Sequence, residues 1–331
     1  MTKLGSFLLF SVTAFAAVSG TVTNGTTGKP QANTTVTLYK FGQGGMEPAD
    51  SVKTDAQGSF TFTKDPQTPG PKMVRIEIDG VTYNKMMPPG TPTTGLTIDV
   101  YNASKEPGAA KVSKHMLLFE PAGDQMTVNE TLLVSNSGKT TWADPQSGTI
   151  RFFMPEGAAN LDAKGTAPDG MPVPIPTDKT GKANIYAAKF ECKPGETRFD
   201  LTYTVPYKTG AAYEGKIASD DENSYLIAPN GVTLQGDGLK DLGTEPRTQA
   251  HIYGLADKSY KITLTGAEAA APSDASADQP DSSGPQIEEI MPRVYGQKWA
   301  ILGLALGILA LGFVLLYRSQ PAKETHERGS R

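Results

Sequence analysis

Apolar and polar residues alternate with a period of two over much of this chain. Phe199, Leu201, Tyr203, Val205 and Tyr207 fall on one face of a single run. Successive side chains of a strand point to opposite sides, so five such residues predict a strand that is central or well covered. Shorter runs repeat the pattern: Val36 with Leu38, then Val74, Ile76 and Ile78, then Leu96, Ile98 and Val100. Residues 127–135, 149–154 and 260–264 carry further alternating sets, with Val128 and Leu132 on one face of the first. Half-buried strands are the expected elements throughout.

Between these runs the punctuation is dense. The 331 residues hold 35 Gly and 25 Pro, which argues against long helices. Strand-like runs separated by Gly, Pro, Asn and Asp every 8 to 12 residues or so are the pattern of an all-β sandwich. Ile78-Asp79-Gly80-Val81 joins two apolar runs by Asp-Gly, whose positive φ values suit a two-residue hairpin turn. In residues 157–180, Pro168, Pro172, Pro174 and Pro176 argue against regular ladder pairing. The expected organisation is a first sandwich over residues 17–103, of about seven strands, and a second sandwich region over residues 104–266. Residues 213–266 are read as part of the second region, because about fifty residues bury too little surface to stand alone.

The first of these regions resembles a known family. Gly20-Thr21-Val22, Gly28-Lys29-Pro30-Gln31-Ala32, Val36-Thr37-Leu38 and the stretch Thr54-Asp55-Ala56-Gln57-Gly58-Ser59-Phe60-Thr61-Phe62 are similar to the carboxypeptidase regulatory-like domain, a small prealbumin-type β-sandwich. The last stretch is the most specific. Asp55 to Gly58 reads as a turn, after which Phe60 and Phe62 project to one face. The resemblance covers about a quarter of the chain and implies a non-catalytic binding or spacer module of an exported protein; related sandwiches bind carbohydrate.

The two ends of the chain break the alternation. Residues 299–317 form an uncharged run of 19, which as a helix at about 1.5 Å per residue reaches about 28 Å, close to the apolar thickness of a bilayer. Arg318, Lys323, Arg328 and Arg331 follow it, and only Arg293 and Lys298 lie just before it, so the positive-inside rule puts the tail, 318–331, in the cytoplasm. Trp299 and Tyr317 bracket the run at headgroup level. Residues 1–16 read as a signal peptide, with Lys3, an apolar run from Leu4 to Val12, and Ala14-Phe15-Ala16 as the cleavage pattern. Residues 267–292 are acidic over most of their length and rich in Ala, Ser and Pro, as expected of a disordered stalk. The expected location is therefore the cell membrane, single-pass, with the bulk outside, in the periplasm or at the cell surface.

Chemistry is sparse in this pattern. The histidines are His115, His251 and His326, and no zinc-helix motif, serine elbow or phosphate loop is present, so no catalytic residue and no cofactor is expected. No metal site is expected either. Asp220-Asp221-Glu222 and Asp237 with Asp241 read as solvated turns, and Met86-Met87 and His115-Met116 as packed residues. Cys192 is the single cysteine, so no disulfide can form within the chain, and it reads as a small buried or half-buried strand residue rather than a nucleophile. A net charge of -4 offers no basic patch for nucleic acid.

Two candidate contact features remain. Trp142, in a turn-like segment with Asp144 and Pro145, is a candidate ligand contact, whereas Tyr39 and Tyr83 are read as packing residues. Gly303 and Gly307 form GxxxG in the span, a candidate helix–helix contact through which the chain would form a homodimer. The expected function is non-enzymatic: a membrane-anchored tandem β-sandwich protein for recognition or scaffolding at the cell envelope, with a protein partner. The alternative is a surface-held carbohydrate-binding module, with a glycan ligand. An unrecognised hydrolase is a distant third reading.

Overall fold

The computed structural model describes residues 18–42, 45–64, 70–168, 170–221 and 223–266. The expected signal peptide, stalk, span and tail, with Gly303 and Gly307, lie outside the described residues. Among the described residues the regular secondary structure is strand, and no helix is long and apolar enough to cross a membrane. The described part of the chain is all-β, an arrangement consistent with a β-sandwich.

Alternation becomes burial in two separate clusters. The first gathers Val18, Val22, Val36, Leu38, Phe60, Phe62, Val74, Ile76, Val81, Tyr83, Met87, Ile98 and Val100. Two four-stranded sheets supply it. In one, Ser19–Asn24 lies between antiparallel partners on one side, Ser59–Thr61 and Lys29–Pro30, and the parallel strand Leu96–Val100 on the other. In the other, the order is Gly45–Lys53, Thr35–Gly42, Lys72–Ile78, Val81–Met87, antiparallel throughout. Eight strands lie between Ser19 and Val100.

The turns follow from the residues that make them. Ile78 pairs with Val81, and Asp79 and Gly80 take φ values of 50° and 76°, as the Asp-Gly hairpin requires. In the Asp55 to Gly58 turn the Asp55 carboxylate accepts from Gln57 N at 2.9 Å and Ser59 N at 2.8 Å. Gly58 has a φ of 74°, and its carbonyl accepts Val22 N at 2.8 Å. The turn thus aims Phe60 and Phe62 inward, where their rings meet edge-on with centroids 5.5 Å apart. Burying an aromatic ring of this size contributes about 1.5–3 kcal/mol.

The second cluster is built on a twelve-residue strand, Gln125–Asn136, hydrogen-bonded along its length to Ala110–Ala122 and Gly195–Pro206. These three belong to an eight-stranded sheet ordered Val173–Pro174, Ala159–Thr166, Gly195–Pro206, Gln125–Asn136, Ala110–Ala122, Ser224–Ala228, His251–Leu255, Leu239–Thr244. Every pairing is antiparallel except that of Ala110–Ala122 with Ser224–Ala228. Phe199, Leu201, Tyr203 and Val205 are all buried, as their period of two requires. Two three-stranded sheets contribute to the same cluster, one through Ile150 and Phe152, the other through Tyr213, Ile262 and Leu264.

One expectation is corrected here. Residues 157–180 do pair: Ala159–Thr166 forms a ladder with Gly195–Pro206, and Val173–Pro174 closes the sheet. Pro174 is tolerated because its strand is the last in the sheet, where the missing N–H faces away from any neighbour.

Candidate functional site

Where the two clusters meet, short segments from each are stitched together. Ala103–Ser104 runs parallel to Thr141–Trp142, and Trp142 exchanges backbone hydrogen bonds with Cys192 at 2.8 and 3.1 Å. The Tyr83 hydroxyl donates to the Tyr101 carbonyl and lies 2.8 Å from Thr141 Oγ1. Lys193 crosses the seam, its Nζ donating to the Thr82 carbonyl at 2.5 Å and lying 4.9 Å from the centre of the Tyr83 ring. Burial pulls the Lys193 ammonium below its usual range and pushes the Tyr83 phenol up.

Beside this seam lies an open cleft of about 520 Å³, within the range of small-ligand sites. The Asp79-Gly80 turn forms one wall, with Ser104 and Lys105 beside it, and Asp144, Phe190 and Glu191 come from the second cluster's side. The positions are locally fixed. Asp79 Oδ2 accepts Ala103 N at 3.3 Å, and Asp144 Oδ1 accepts Gln146 N and Ser147 N at 3.1 and 2.8 Å. The Ser147 bond, against a small cost of burial, holds the Asp144 carboxyl below its usual range. Lys189 pairs with Asp178 at 2.5 Å, and Phe190 is fixed edge-on against Phe199. The cleft thus offers carboxylates, two ammonium groups, Lys105 and Lys189, and one aromatic ring, all on short connections held by a rigid scaffold.

Trp142 does not line this cleft. It is half-buried against the second cluster, and its indole N–H donates to the Lys105 carbonyl at 3.0 Å, so it braces the segment that carries Lys105. Tyr83 is buried as expected. Tyr39 is half-buried, with the Arg75 guanidinium 4.9 Å from its ring centre. Met87 is buried and Met86 exposed, their side chains on opposite faces of one strand.

A second constellation was not evident in the sequence. His115 Nε2 lies 2.6 Å from Glu130 Oε1, and His115 Nδ1 lies 2.5 Å from Asp221 Oδ2. All three side chains are 1–2% exposed. Burial alone would drive the imidazole neutral, but the hydrogen bonds to Asp221 and Glu130 outweigh it and raise His115 to about 9. Asp221, expected in a solvated turn, is instead buried, while its neighbour Asp220 is fully exposed and pairs with Lys258. The signal available was position. Glu130 shares a face with Val128 and Leu132, so a strand reading alone places a carboxylate in the core. His115 was harder to place, because a bulge between Val112 and Lys114 shifts the alternation.

With both ring nitrogens engaged by carboxylates, His115 has no lone pair to give a metal, and the seal keeps the cluster from substrate. No group of three or more His, Cys, Asp or Glu side chains suited to a metal ion occurs among the described residues. Cys192 is fully buried, and burial pushes its thiol up to about 12. His251 is paired with Asp241 at 2.7 Å and stacked on Tyr253.

No family model matches the chain, and no curated protein matches it. The similar solved structures include the M1 zinc metallopeptidase of Deinococcus radiodurans, as a mutant bound to a tripeptide substrate, with 11% identity and a TM-score of 0.28 over 47% of this chain and 42% of that one. The same peptidase without added mutation gives 11% identity and a TM-score of 0.27 over the same shares. This chain therefore spans less than half of those structures, and a similarity of that size carries no argument here.

Proposed function

We propose that this is a non-enzymatic, exported protein whose two β-sandwiches, anchored by one C-terminal membrane helix, recognise a protein partner at the cell envelope. The seam cleft is the observation that carries this reading. Its walls are short connections from both clusters, held by backbone and side-chain hydrogen bonds, and its lining mixes charge of both signs with one aromatic ring. That is the composition of a recognition surface fixed on a rigid support. The buried set of acid and base groups, His115 with Glu130 and Asp221, is sealed from solvent and suits a structural role.

The test is in-cell photocrosslinking of the full chain, with a photoreactive residue replacing Lys105 at the cleft and, as a control, Lys53 on the edge strand Gly45–Lys53 of the first cluster's antiparallel sheet. A discrete adduct from Lys105 alone, weakened by Asp79→Lys, supports the reading; equal labelling from both positions, or none, sinks it. A glycan is the second reading, favoured by Phe190 lying among the carboxylates of Asp79, Asp144 and Glu191, since sugars combine ring contacts with bidentate hydrogen bonding. Glycan-array binding by the detergent-solubilised protein, lost on Phe190→Ala, would move the assignment there.

A further inference from the structure

The arrangement around His115 fixes how many protons the cluster holds. A neutral imidazole has one N–H and can donate to one carboxylate only. Here both ring nitrogens lie within 2.6 Å of a carboxylate oxygen. Both contacts are satisfied when the three groups share two protons, the simplest case being an imidazolium between two carboxylates. Removing one proton sets a nitrogen lone pair against an oxygen lone pair inside a sealed site, where an unmade charged hydrogen bond is most costly. The far oxygens, Glu130 Oε2 and Asp221 Oδ1, are buried without a partner, and beside His115 the side-chain donor that reaches Asp221 is the neutral Ser224 hydroxyl, at 3.3 Å.

The cluster also sits at a particular place in the sheet. Its three members come from three segments: His115 from Ala110–Ala122, Glu130 from Gln125–Asn136, and Asp221 from the connection that leads into Ser224–Ala228. In the eight-stranded sheet, Ser224–Ala228 joins the larger antiparallel part by its parallel pairing with Ala110–Ala122 alone, over four residue pairs from His115–Ser224 to Leu118–Ile227. His251–Leu255 and Leu239–Thr244 are attached through it. A bridge from Val112 to Asp221 extends the same joint by one contact.

We propose that the His115–Glu130–Asp221 cluster is a proton-dependent latch, closed with two protons and open with one, that fastens Ser224–Ala228, and through it His251–Leu255 and Leu239–Thr244, to the hairpin of residues 110–136. Opening transfers one imidazolium proton to solvent hydroxide, forming water. The groups that face the cluster do not compete for that proton. Ser224 Oγ, 3.3 Å from Asp221 Oδ2, is a neutral hydroxyl. The phenols of Tyr203, Tyr213 and Tyr260 face Glu130 from three further strands, Gly195–Pro206, Ala212–Lys216 and Ser259–Gly266, and burial pushes all three up, so they stay neutral while His115 titrates.

The test uses the full chain in detergent micelles with its histidines labelled in ¹⁵N. In wild-type protein at pH 7.5 both His115 nitrogens should carry protons, with the ring titrating near 9. Amide exchange in Ser224–Ala228 and His251–Leu255, corrected for its intrinsic pH dependence, should rise about tenfold for each pH unit above that point. Exchange between Gln125–Asn136 and Gly195–Pro206 should not change. Asp221→Asn should move both the ring titration and the exchange step down by about one unit or more. A single neutral tautomer at pH 7.5, exchange that rises equally across the whole sheet, or no step at all overturns the latch. If Asp221→Asn does not fold, the wild-type titration and exchange still decide.

Discussion

Cys192 has no solvent exposure, its backbone is paired to Trp142, and its thiol is pushed up to about 12 by burial. The thiolate is the reactive form, so a maleimide or aromatic disulfide reagent at pH 8 should leave the native protein unlabelled and react only after urea unfolding. Rapid labelling of native protein would contradict this packing. His115 has the opposite property, a charge held in the core. Its ring is raised from 6.5 to about 9 on folding, so it adds stability in full below the unfolded value and loses it as pH climbs through the folded one. The contribution is on the order of 3 kcal/mol, and urea midpoints measured from pH 6.5 to 9.5 should fall accordingly. A Glu130→Leu variant should flatten much of that dependence. At this scale the sequence was readable where a residue kept its period. Cys192 and Phe199 declared their burial; Glu130 occupied a core position in plain view, and its partner Asp221 was hidden among charged neighbours because only the tertiary fold separates a buried carboxylate from a solvated one.

Among the strands, Ser19–Asn24 runs in close approach to its parallel neighbour. A Cβ on Gly20 would collide with the backbone and side chain of Leu96 in the parallel neighbour, so the two strands approach as they do because residue 20 has no side chain. Gly20→Val should cost about 1–3 kcal/mol through overpacking, read as a lower urea midpoint, whereas the same change at Gly42, the open end of the strand Thr35–Gly42, should cost far less. Phe62→Ala removes a ring that is 1% exposed and should cost about 3–5 kcal/mol. Equal midpoints for Gly20→Val and Gly42→Val would show that the strand spacing tolerates a branched side chain. Elements bounded by their own turn residues were the legible ones. The Asp79-Gly80 hairpin and the Asp55 to Gly58 turn are local in their causes. Ala159–Thr166 was missed because its partner lies far away in sequence and the prolines beyond it mark an edge strand, where they do little harm.

For the molecule as a whole, the seam is the decisive feature. Tyr83 with Thr141, Lys193 with Thr82, and the pairing of Ala103–Ser104 with Thr141–Trp142 connect two hydrophobic clusters that have no residue in common among the described residues. In a cycle of Tyr83→Phe and Thr141→Val, the coupling energy should be about 0.5–1.5 kcal/mol. Additive effects within error would mean that the two hydroxyls do not act together. Nothing in the local pattern announced this joint, because a seam is specified by pairs of residues that each look ordinary alone. The parallel pairing within the first sheet has a further consequence, in time. The first strand of that sheet cannot find its parallel partner until the last one, Leu96–Val100, has been made. Synthesis at about 5–20 residues per second places several seconds between them. During that interval the nascent segment has no closed sheet on that side, and its edge stays an open, unpaired backbone until residue 100 is made.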